Sequence, residues 1–409
     1  MENFVTLWHQ AAMTSVGFFW MALWAFMLGY LISSLIQVLI SRERMQQAMG
    51  KDGPRSMLLG TFFGFISSSC SFSALSTTRA IFNKGAGLAP SLAFLLASTN
   101  LVIELGMVIA IFLGWQFVLG EYVGGILLIL ITWLLIRLTR PRRLEALARK
   151  QQHNHADDAD NSDIGWQQKL VSRQSWQQIG QTYVMEWQMV WRDVLIGFTV
   201  AGIIAAMVPD SFFQALFIGS GGENRANPGL LAVLSQTLVG PVAAFFTFIG
   251  SMGNIPLAAV LFSQGVTFAG VMAFIFSDLV VLPVLRINAR YYGWKMALYI
   301  LLIMLVAIVI TALVMHYALA FLGILPQFTS ATAVSDREFF QLNYQFVLNC
   351  IMFIANLGLI WLWFKAKRQQ TEHKQHHNDE KSLTDKLLSL IALIALLWLG
   401  GGLSVGLLA

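Results

Sequence analysis

Residues 67–73 read Ser-Ser-Ser-Cys-Ser-Phe-Ser, and residues 250–256 read Gly-Ser-Met-Gly-Asn-Ile-Pro. Both stretches interrupt sequence that is otherwise strongly apolar. The first carries five hydroxyls and a thiol, and the second carries two glycines and a proline. Glycine and proline both favour a break in a helix. Two such breaks in apolar surroundings are the features that decide the predicted fold.

The composition around these stretches is that of an integral membrane protein. Of the 409 residues, 57% are apolar and 11% are charged, whereas a soluble domain carries about a quarter charged residues. A helix needs roughly 20 apolar residues to span the hydrocarbon core. The sequence predicts eight spans, at 18–40, 88–113, 123–138, 194–208, 268–285, 296–322, 346–364 and 387–408. We therefore expect an all-α polytopic protein of a bacterial inner membrane.

An internal repeat relates the two interrupted stretches. Residues 60–94 align with residues 240–274 at a constant offset and without a gap. The identical pairs are Gly60 with Gly240, Phe65 with Phe245, Ser71 with Ser251, Gly85 with Gly265, Ala89 with Ala269, Ala93 with Ala273 and Phe94 with Phe274. Weak internal symmetry of this kind is typical of transporters built from two related halves.

The positive charges indicate how each half is threaded. Lys and Arg cluster at 42–55, 79–84, 137–150, 286–295 and 365–386. If residues 58–82 crossed the membrane once, the clusters on either side would face opposite compartments, against the positive-inside rule. A re-entrant hairpin over 58–82 places every cluster in the cytoplasm, and the matching hairpin over 230–262 then enters from the opposite side. We predict an inverted-topology repeat with about eight transmembrane helices, two re-entrant hairpins and both termini outside.

This threading divides the chain into four parts. The first membrane repeat covers 1–138 and the second covers 191–324, with a polar cytoplasmic linker at 139–190 between them. Residues 325–409 add two C-terminal spans joined by a polar cytoplasmic loop at 365–385. The net charge of +5 comes from loop Lys and Arg, so the expected partners are the lipid bilayer and a small solute, not nucleic acid. The sequence leaves undecided whether the protein forms a homo-oligomer.

The two hairpin tips are the predicted solute-binding site. Irregular backbone at membrane depth is tolerated only where protein or water satisfies its polar groups. In transporters, hydroxyls and freed N–H groups at helix breaks bind polar solutes or anions, although serines can also bond back to helix carbonyls. The candidate binding residues are Ser68, Ser69, Cys70, Ser71 and Ser73 at the first tip, Ser251, Met252 and Asn254 at the second, and Asn100.

The sulfur atoms at the tips are compatible with a soft metal or metalloid as the solute. Cys70 and Met252 could bind a soft metal or metalloid, whereas a buried cysteine is otherwise inert packing. The histidines at 153–155 and 373–377 lie in polar loops, where a solvated linker is the default interpretation. We therefore predict no resident metal site and no cofactor.

Two acids are predicted to lie near the middle of spans, Glu104 after the first hairpin and Asp278 after the second. Burying a carboxylate in a membrane costs several kcal/mol unless it is protonated, paired or hydrated. Proton coupling is one role for these acids, and structural pairing with Arg79 or Arg286 is the alternative. Asn100 precedes Glu104 by one helical turn, so we expect it to share the same face.

The stretch from Gly64 to Phe94, with its Ser-Cys-Ser tip, and the stretch from Gly250 to Pro283 resemble the bacterial predicted-permease family that includes the organoarsenical efflux permeases. The resemblance covers both hairpins and the spans after them. It implies a membrane permease. In that family the first tip reads Pro-x-Cys-Ser-Cys with a further proline shortly after, and the paired thiols suit a trivalent arsenical.

This chain departs from the family pattern at the first tip. Cys70 and Ser71 match the first cysteine and the serine, but Phe72 stands at the second cysteine, and Ser68 and Ser76 replace the two prolines. One thiol cannot chelate as two do. The resemblance therefore implies a permease without implying an arsenical substrate.

The leading hypothesis is a secondary transporter, proton-coupled and working as an exporter, for a metalloid, a soft metal or a small anion. The sequence contains no Walker-type loop, haem-attachment motif or nucleophile elbow, so we do not expect an enzyme or an ATP-driven pump. A passive channel is one alternative, and it would not need Glu104 or Asp278. The second alternative is an accessory membrane subunit that binds a partner protein through residues 139–186 and delivers a ligand to it.

Overall fold

The computed structural model describes residues 2–39, 53–67, 71–83, 85–152, 172–217, 228–247, 251–326, 340, 342, 344–370 and 383–408. Within these ranges the protein is helical and contains no strand, so the all-α prediction is confirmed. Six of the described helices are long and apolar enough to cross a membrane, and a bent pair of helices would make a seventh span. The chain is a multi-pass membrane protein.

The first half begins with a long span and continues through a series of shorter helices. In chain order these are α1 (Glu2–Leu39), α2 (Pro54–Ser67), α3 (Ser71–Asn83), α4 (Leu88–Asn100), α5 (Ile103–Phe112), α6 (Trp115–Thr139) and α7 (Arg142–Gln152). The helices α4 and α5 are the bent pair, and their axes meet at 44°. The polar helix α7 lies beyond the last span of this half.

The second half also begins with a long helix and continues through shorter ones. It comprises α8 (Arg173–Met207), α9 (Asp210–Leu216), α10 (Leu230–Thr247), α11 (Ser251–Ser263), α12 (Phe268–Ile275), the 3₁₀-helix η1 (Phe276–Leu279), α13 (Leu282–Tyr292) and α14 (Trp294–Phe321). Two further helices, α15 (Tyr344–Gln370) and α16 (Leu383–Leu408), complete the described chain. They contact α1, where the Asn349 amide donates to the carbonyl of Trp20 at 2.9 Å.

Helix bounds in the two halves correspond closely. The helices α3 and α11 span 71–83 and 251–263, so both ends are offset by 180 residues. Each is followed by a glycine with positive φ, Gly85 at 103° and Gly265 at 90°. These glycines donate to the carbonyls of Phe82 and Phe262 respectively. Only glycine adopts this left-handed backbone without strain, so the same turn is encoded twice.

The matching spans α6 and α14 run antiparallel. A Cβ added to Gly124 would lie 3.4 Å from Cγ of Met315, and the hydroxyls of Thr139 and Tyr299 are 2.6 Å apart. Residue numbers therefore rise along one helix as they fall along the other. An inverted repeat requires this relationship between matching spans, and the inversion itself stays a prediction.

Aromatic packing holds the first spans of the two halves together. The rings of Phe18 on α1, Phe112 on α5 and Phe198 on α8 meet edge to face, with centroids 5.4 Å and 6.1 Å apart. All three side chains are buried. Edge-to-face pairs contribute about 0.5–1.5 kcal/mol each beyond their buried area. This core supports the broken helices described below.

The span predicted at 194–208 is shorter than expected. Only Val194–Met207 of α8 is apolar, because Glu186, Arg192 and Asp193 lie in the preceding turns. These 14 residues rise about 21 Å at about 1.5 Å each, less than the hydrocarbon core of about 30 Å. By length and composition the described helices therefore supply up to seven spans, where eight were predicted.

Candidate functional site

The first predicted tip lies mostly outside the described residues. Ser68, Ser69 and Cys70 are not described, and of Ser71 and Ser73 only the helical backbone is described. The helix α2 ends at Ser67. The roles assigned to these five residues stay predictions.

The helices that flank the two tips are short. The first pair contains 14 and 13 residues, and the second pair contains 18 and 13. At about 1.5 Å per residue, three of the four are about 20 Å long, whereas the hydrocarbon core is about 30 Å thick. Such helices are too short to cross alone. They agree with hairpins that turn inside the membrane, and re-entry stays a prediction.

The second tip is described from Ser251 onward. Gly250 and the side chain of Met252 lie outside the described set, whereas Asn254 is fully buried. The predicted break over 250–256 is wrong in its extent, since α11 begins at Ser251 and continues through Pro256. Pro256 lies inside α11, where its missing N–H leaves one carbonyl without its helical donor but does not end the helix.

Asp278 is joined to this tip by a hydrogen bond. The Ser251 hydroxyl donates to Oδ2 of Asp278 at 2.6 Å, and the Asp278 side chain is buried. Asp278 lies well inside the candidate span Phe268–Tyr292, as predicted, but in the 3₁₀-helix η1 between α12 and α13 and not within one continuous α-helix. Pro283, in the first turn of α13, has no backbone N–H to donate to the carbonyl of Leu279, so helical hydrogen bonding does not continue unbroken from η1 into α13.

The span after the first hairpin is broken at the matching place. Asn100 ends α4 and Glu104 lies in the first turn of α5, with the 44° bend between them. The two residues therefore belong to different helices and do not share one helical face as predicted. Glu104 is buried against Gly29, where an added Cβ would overlap its side chain. An acid at a helix N-terminus is favoured by the helix dipole.

The basic residues considered as partners for these acids have other surroundings. The Arg79 guanidinium lies 4.6 Å from the centre of the Tyr291 ring, which is a cation–π contact. Arg286 is exposed. The surroundings of both residues favour roles other than structural pairing with Glu104 or Asp278.

Glu121 is the residue that sequence reasoning missed. Because the third span was predicted to start at residue 123, Glu121 was placed outside it, but α6 begins at Trp115. The Glu121 side chain is 0% exposed, and neither carboxylate oxygen has a hydrogen-bond partner among the described residues. Its charge interacts with that of Asp278. A window that starts at the exposed Trp115 would have included it.

Glycines on α6 bring Glu121 close to both helix breaks. A Cβ added to Gly124 would lie 2.9 Å from the ring of Phe276 in η1, and one added to Gly125 would lie 3.7 Å from Cβ of Asn100. Both glycines are about one turn from Glu121, so they share its side of the helix. The Asn100 amide nitrogen is buried and has no hydrogen-bond partner in the described structure.

Polar groups from both halves therefore converge inside the membrane part of the protein. Asn100 comes from the first break, Asp278 from the second, Ser251 from the second hairpin and Glu121 from α6. Such groups are costly in an apolar environment, and their concentration at breaks is typical of a site for a polar ligand. Among the described residues, no three His, Cys, Asp or Glu side chains are arranged to hold a metal ion.

Comparison with known proteins assigns the family. The profile of the family described as "predicted permease" matches residues 7–317. A Mycobacterium tuberculosis protein named as a permease, Rv2963, is 35% identical over 331 residues, which cover 78% of this chain and 79% of the relative. The Escherichia coli UPF0718 protein YraQ is 29% identical over 129 residues, or 31% of this chain and 37% of the relative. No solved structure matches the chain. The chain belongs to the predicted-permease family.

Proposed function

We propose that this permease is a secondary transporter whose solute binds where the helix breaks of its two halves meet. The observation that carries the proposal is that α6 packs against Asn100 at the first break and against η1 at the second, where Ser251 is hydrogen-bonded to Asp278. The short helix pairs α2–α3 and α10–α11, each followed by an interrupted span, support it further. Secondary transporters built as inverted repeats bind solutes at discontinuous helices near the bilayer midplane.

The proposed architecture is the inverted repeat with two re-entrant hairpins. The antiparallel course of α6 and α14 and the short hairpin arms support it. Placing the basic loops inside gives both termini outside in a bacterial inner membrane. The two halves then rock around the hairpin tips, and the tips carry the solute contacts.

The solute we propose is a metalloid, a soft metal or a small anion, and transport is outward. Hydroxyls at Ser68, Ser69, Ser71 and Ser73 would bind an oxyanion, and the thiol of Cys70 would bind a soft centre. Met252 and Asn254 complete the second tip. Buried carboxyl groups at Glu104 and Asp278 support proton coupling, since acids inside membrane proteins commonly form proton relays.

A profiling experiment tests this function and separates its solute classes. A strain that lacks the gene is compared with one that carries it for growth and for accumulation of soft metals, metalloids and small oxyanions. Lower accumulation of one class in the strain that carries the gene identifies the solute. Cys70→Ser abolishes the effect for a thiol-bound solute, whereas Cys350→Ser, which changes an exposed cysteine, serves as the matched control. Identical accumulation in both strains for every class would contradict the proposal.

Purified protein in liposomes distinguishes a coupled carrier from a channel. A carrier moves the identified solute against its gradient when a proton gradient is imposed, and Asp278→Asn removes that uphill movement. A passive channel equilibrates the solute without a proton gradient, and its flux does not require Asp278 or Glu104. Uphill movement that survives both substitutions would reject proton coupling through these acids, and a wild type that only equilibrates the solute would reject the coupled carrier.

A further inference from the structure

We infer that Glu121 and Asp278 form a proton-binding pair in which Glu121 carries the proton and Asp278 carries the charge. The inference rests on the proposed function, because it names the group that binds the coupling ion. It differs from the sequence-based hypothesis, which assigned this role to Glu104 and Asp278 and did not include Glu121.

The surroundings of the two carboxyl groups differ in the way this assignment requires. Asp278 accepts a 2.6 Å hydrogen bond from Ser251, and a donated hydrogen bond stabilises the ionised form of a carboxyl group. Glu121 is completely buried, and both of its oxygens lack a donor among the described residues. An isolated buried carboxylate costs several kcal/mol. The neutral acid is therefore the stable form of Glu121.

Proximity makes the two groups titrate together. Glu121 and Asp278 interact electrostatically, and the contact between Gly124 and Phe276 holds α6 against η1. Two like charges placed close together in an apolar interior cannot both remain ionised at low cost. One proton shared by the pair removes the repulsion, and the Ser251 hydrogen bond determines which group keeps the charge.

Other titratable groups near Glu121 do not supply a neutralising charge. Tyr122, the next residue, interacts with both Glu121 and Glu104. Neither a tyrosine nor a glutamate side chain can carry a positive charge, so neither can neutralise Glu121. On α14, His316 follows Met315, which contacts Gly124. Its ring is buried, with Nδ1 unpartnered in the described structure, which disfavours a charged imidazolium. Neither Tyr122 nor His316 neutralises Glu121, and its two oxygens accept no hydrogen bond in the described part of the chain. A proton on the carboxyl group therefore removes the charge.

Ser251 connects this pair to the transport cycle. It lies in the first turn of α11, directly after the second tip, whereas Asp278 lies in the following span. Movement of the hairpin relative to η1 would break the hydrogen bond and raise the proton affinity of the pair. Closure of the hairpin onto η1 would lower that affinity again. The pair can in this way take up a proton in one conformation and release it in another.

Infrared difference spectroscopy of purified protein in lipid nanodiscs tests this inference without any solute. The wild type is expected to show the C=O band of a protonated carboxylic acid at neutral pH, and the band should shift in D₂O. Glu121→Gln removes the band, whereas Glu121→Asp keeps it at a shifted frequency, which excludes misfolding as the cause of the loss. Asp278→Asn retains the band, since Glu121 stays buried without a donor.

A control variant and two contrary outcomes complete the test. Glu145→Gln, which changes an acid of the polar helix α7, leaves the band unchanged. A band that persists in Glu121→Gln but disappears in Glu104→Gln would overturn the inference. Carboxylate bands that respond to Na⁺, with no acid band at any pH, would replace the proton by a metal cation. Absence of transport with a normal acid band would contradict the proposed function alone.

Discussion

The Ser251 hydroxyl donates a 2.6 Å hydrogen bond to Asp278, which joins the start of α11 to the 3₁₀-helix η1. At the repeat offset, the residue that matches Asp278 is Ser98. The Ser98 hydroxyl donates to the carbonyl of Leu95, one turn earlier in α4. The position that holds an acid in the second half therefore holds a serine inside α4 in the first half, where the acid next to the break is Glu104.

The first prediction concerns this hydrogen bond. Ser251→Ala removes the donor, and a hydrogen bond to a charged group contributes about 1.5–3 kcal/mol. Since 1.4 kcal/mol corresponds to about a tenfold change, we expect initial transport rates in liposomes to fall by about 10- to 100-fold. Ser263→Ala is the control, because that hydroxyl donates to the Val260 carbonyl at the other end of α11. Equal rates for the two variants would show that the bond has no role in transport.

The second prediction separates function from stability at Asn100. Its amide nitrogen is buried without a partner among the described residues, and such a group costs about 1–3 kcal/mol. Asn100→Leu replaces the amide by an apolar side chain of similar size, so we expect a higher melting temperature in detergent together with loss of transport. Residues that destabilise the fold are retained where they bind ligands.

A neighbouring substitution serves as the control for Asn100. The Thr99 hydroxyl is bonded to the carbonyl of Leu95 at 3.1 Å, and that carbonyl belongs to the helix interior. Thr99→Val should therefore change the melting temperature little and leave transport intact. If Asn100→Leu lowered the melting temperature instead, the amide would be a structural group and not a ligand.

The third prediction concerns helix packing in the second hairpin. A Cβ added to Gly240 would lie 2.6 Å from the backbone oxygen of Gly270, and backbone cannot move aside as a flexible side chain can. Gly240→Ala should therefore destabilise the protein by about 1–3 kcal/mol, as overpacking does. Thermal unfolding in detergent measures the effect. Gly400→Ala on α16 is the matched control, because a Cβ there meets nothing within 4 Å, and an equal loss of stability in both variants would contradict the packing argument.

The sequence predicted the membrane class well because span length and composition are local properties. Segments such as 296–322 are apolar throughout, and the structure contains the corresponding helix α14. The charged residues Glu186 and Arg192 make the apolar part of α8 shorter than predicted. The predicted and observed spans therefore differ where charged residues interrupt an apolar segment.

The candidate site was harder to predict because it depends on helix breaks and on contacts between halves. Pro283 could have indicated the break at Asp278, but no proline marks the bend between Asn100 and Glu104. Glu121 was excluded by a span that started two residues too late. Its proximity to Asp278 is a tertiary relationship, since the two residues are far apart in sequence and carry no shared motif.

The fourth prediction tests the inverted repeat directly. Asn83 and Ser263 end the matching helices α3 and α11, so in an inverted repeat they lie on opposite sides of the membrane. Single cysteines at these positions, in a background with Cys70→Ser and Cys350→Ser, should react differently with a membrane-impermeant maleimide. Asn83→Cys should react only after the cells are opened, whereas Ser263→Cys should react in cells whose outer membrane alone is permeable.

Neither substitution changes a charge, so the positive-inside signal is preserved. A cysteine at the exposed Ala146 of α7, beside the basic cluster, gives the cytoplasmic reference. Labelling of Asn83→Cys and Ser263→Cys from the same side would mean that the two hairpins enter together, and the proposed site between opposed tips would then be rejected.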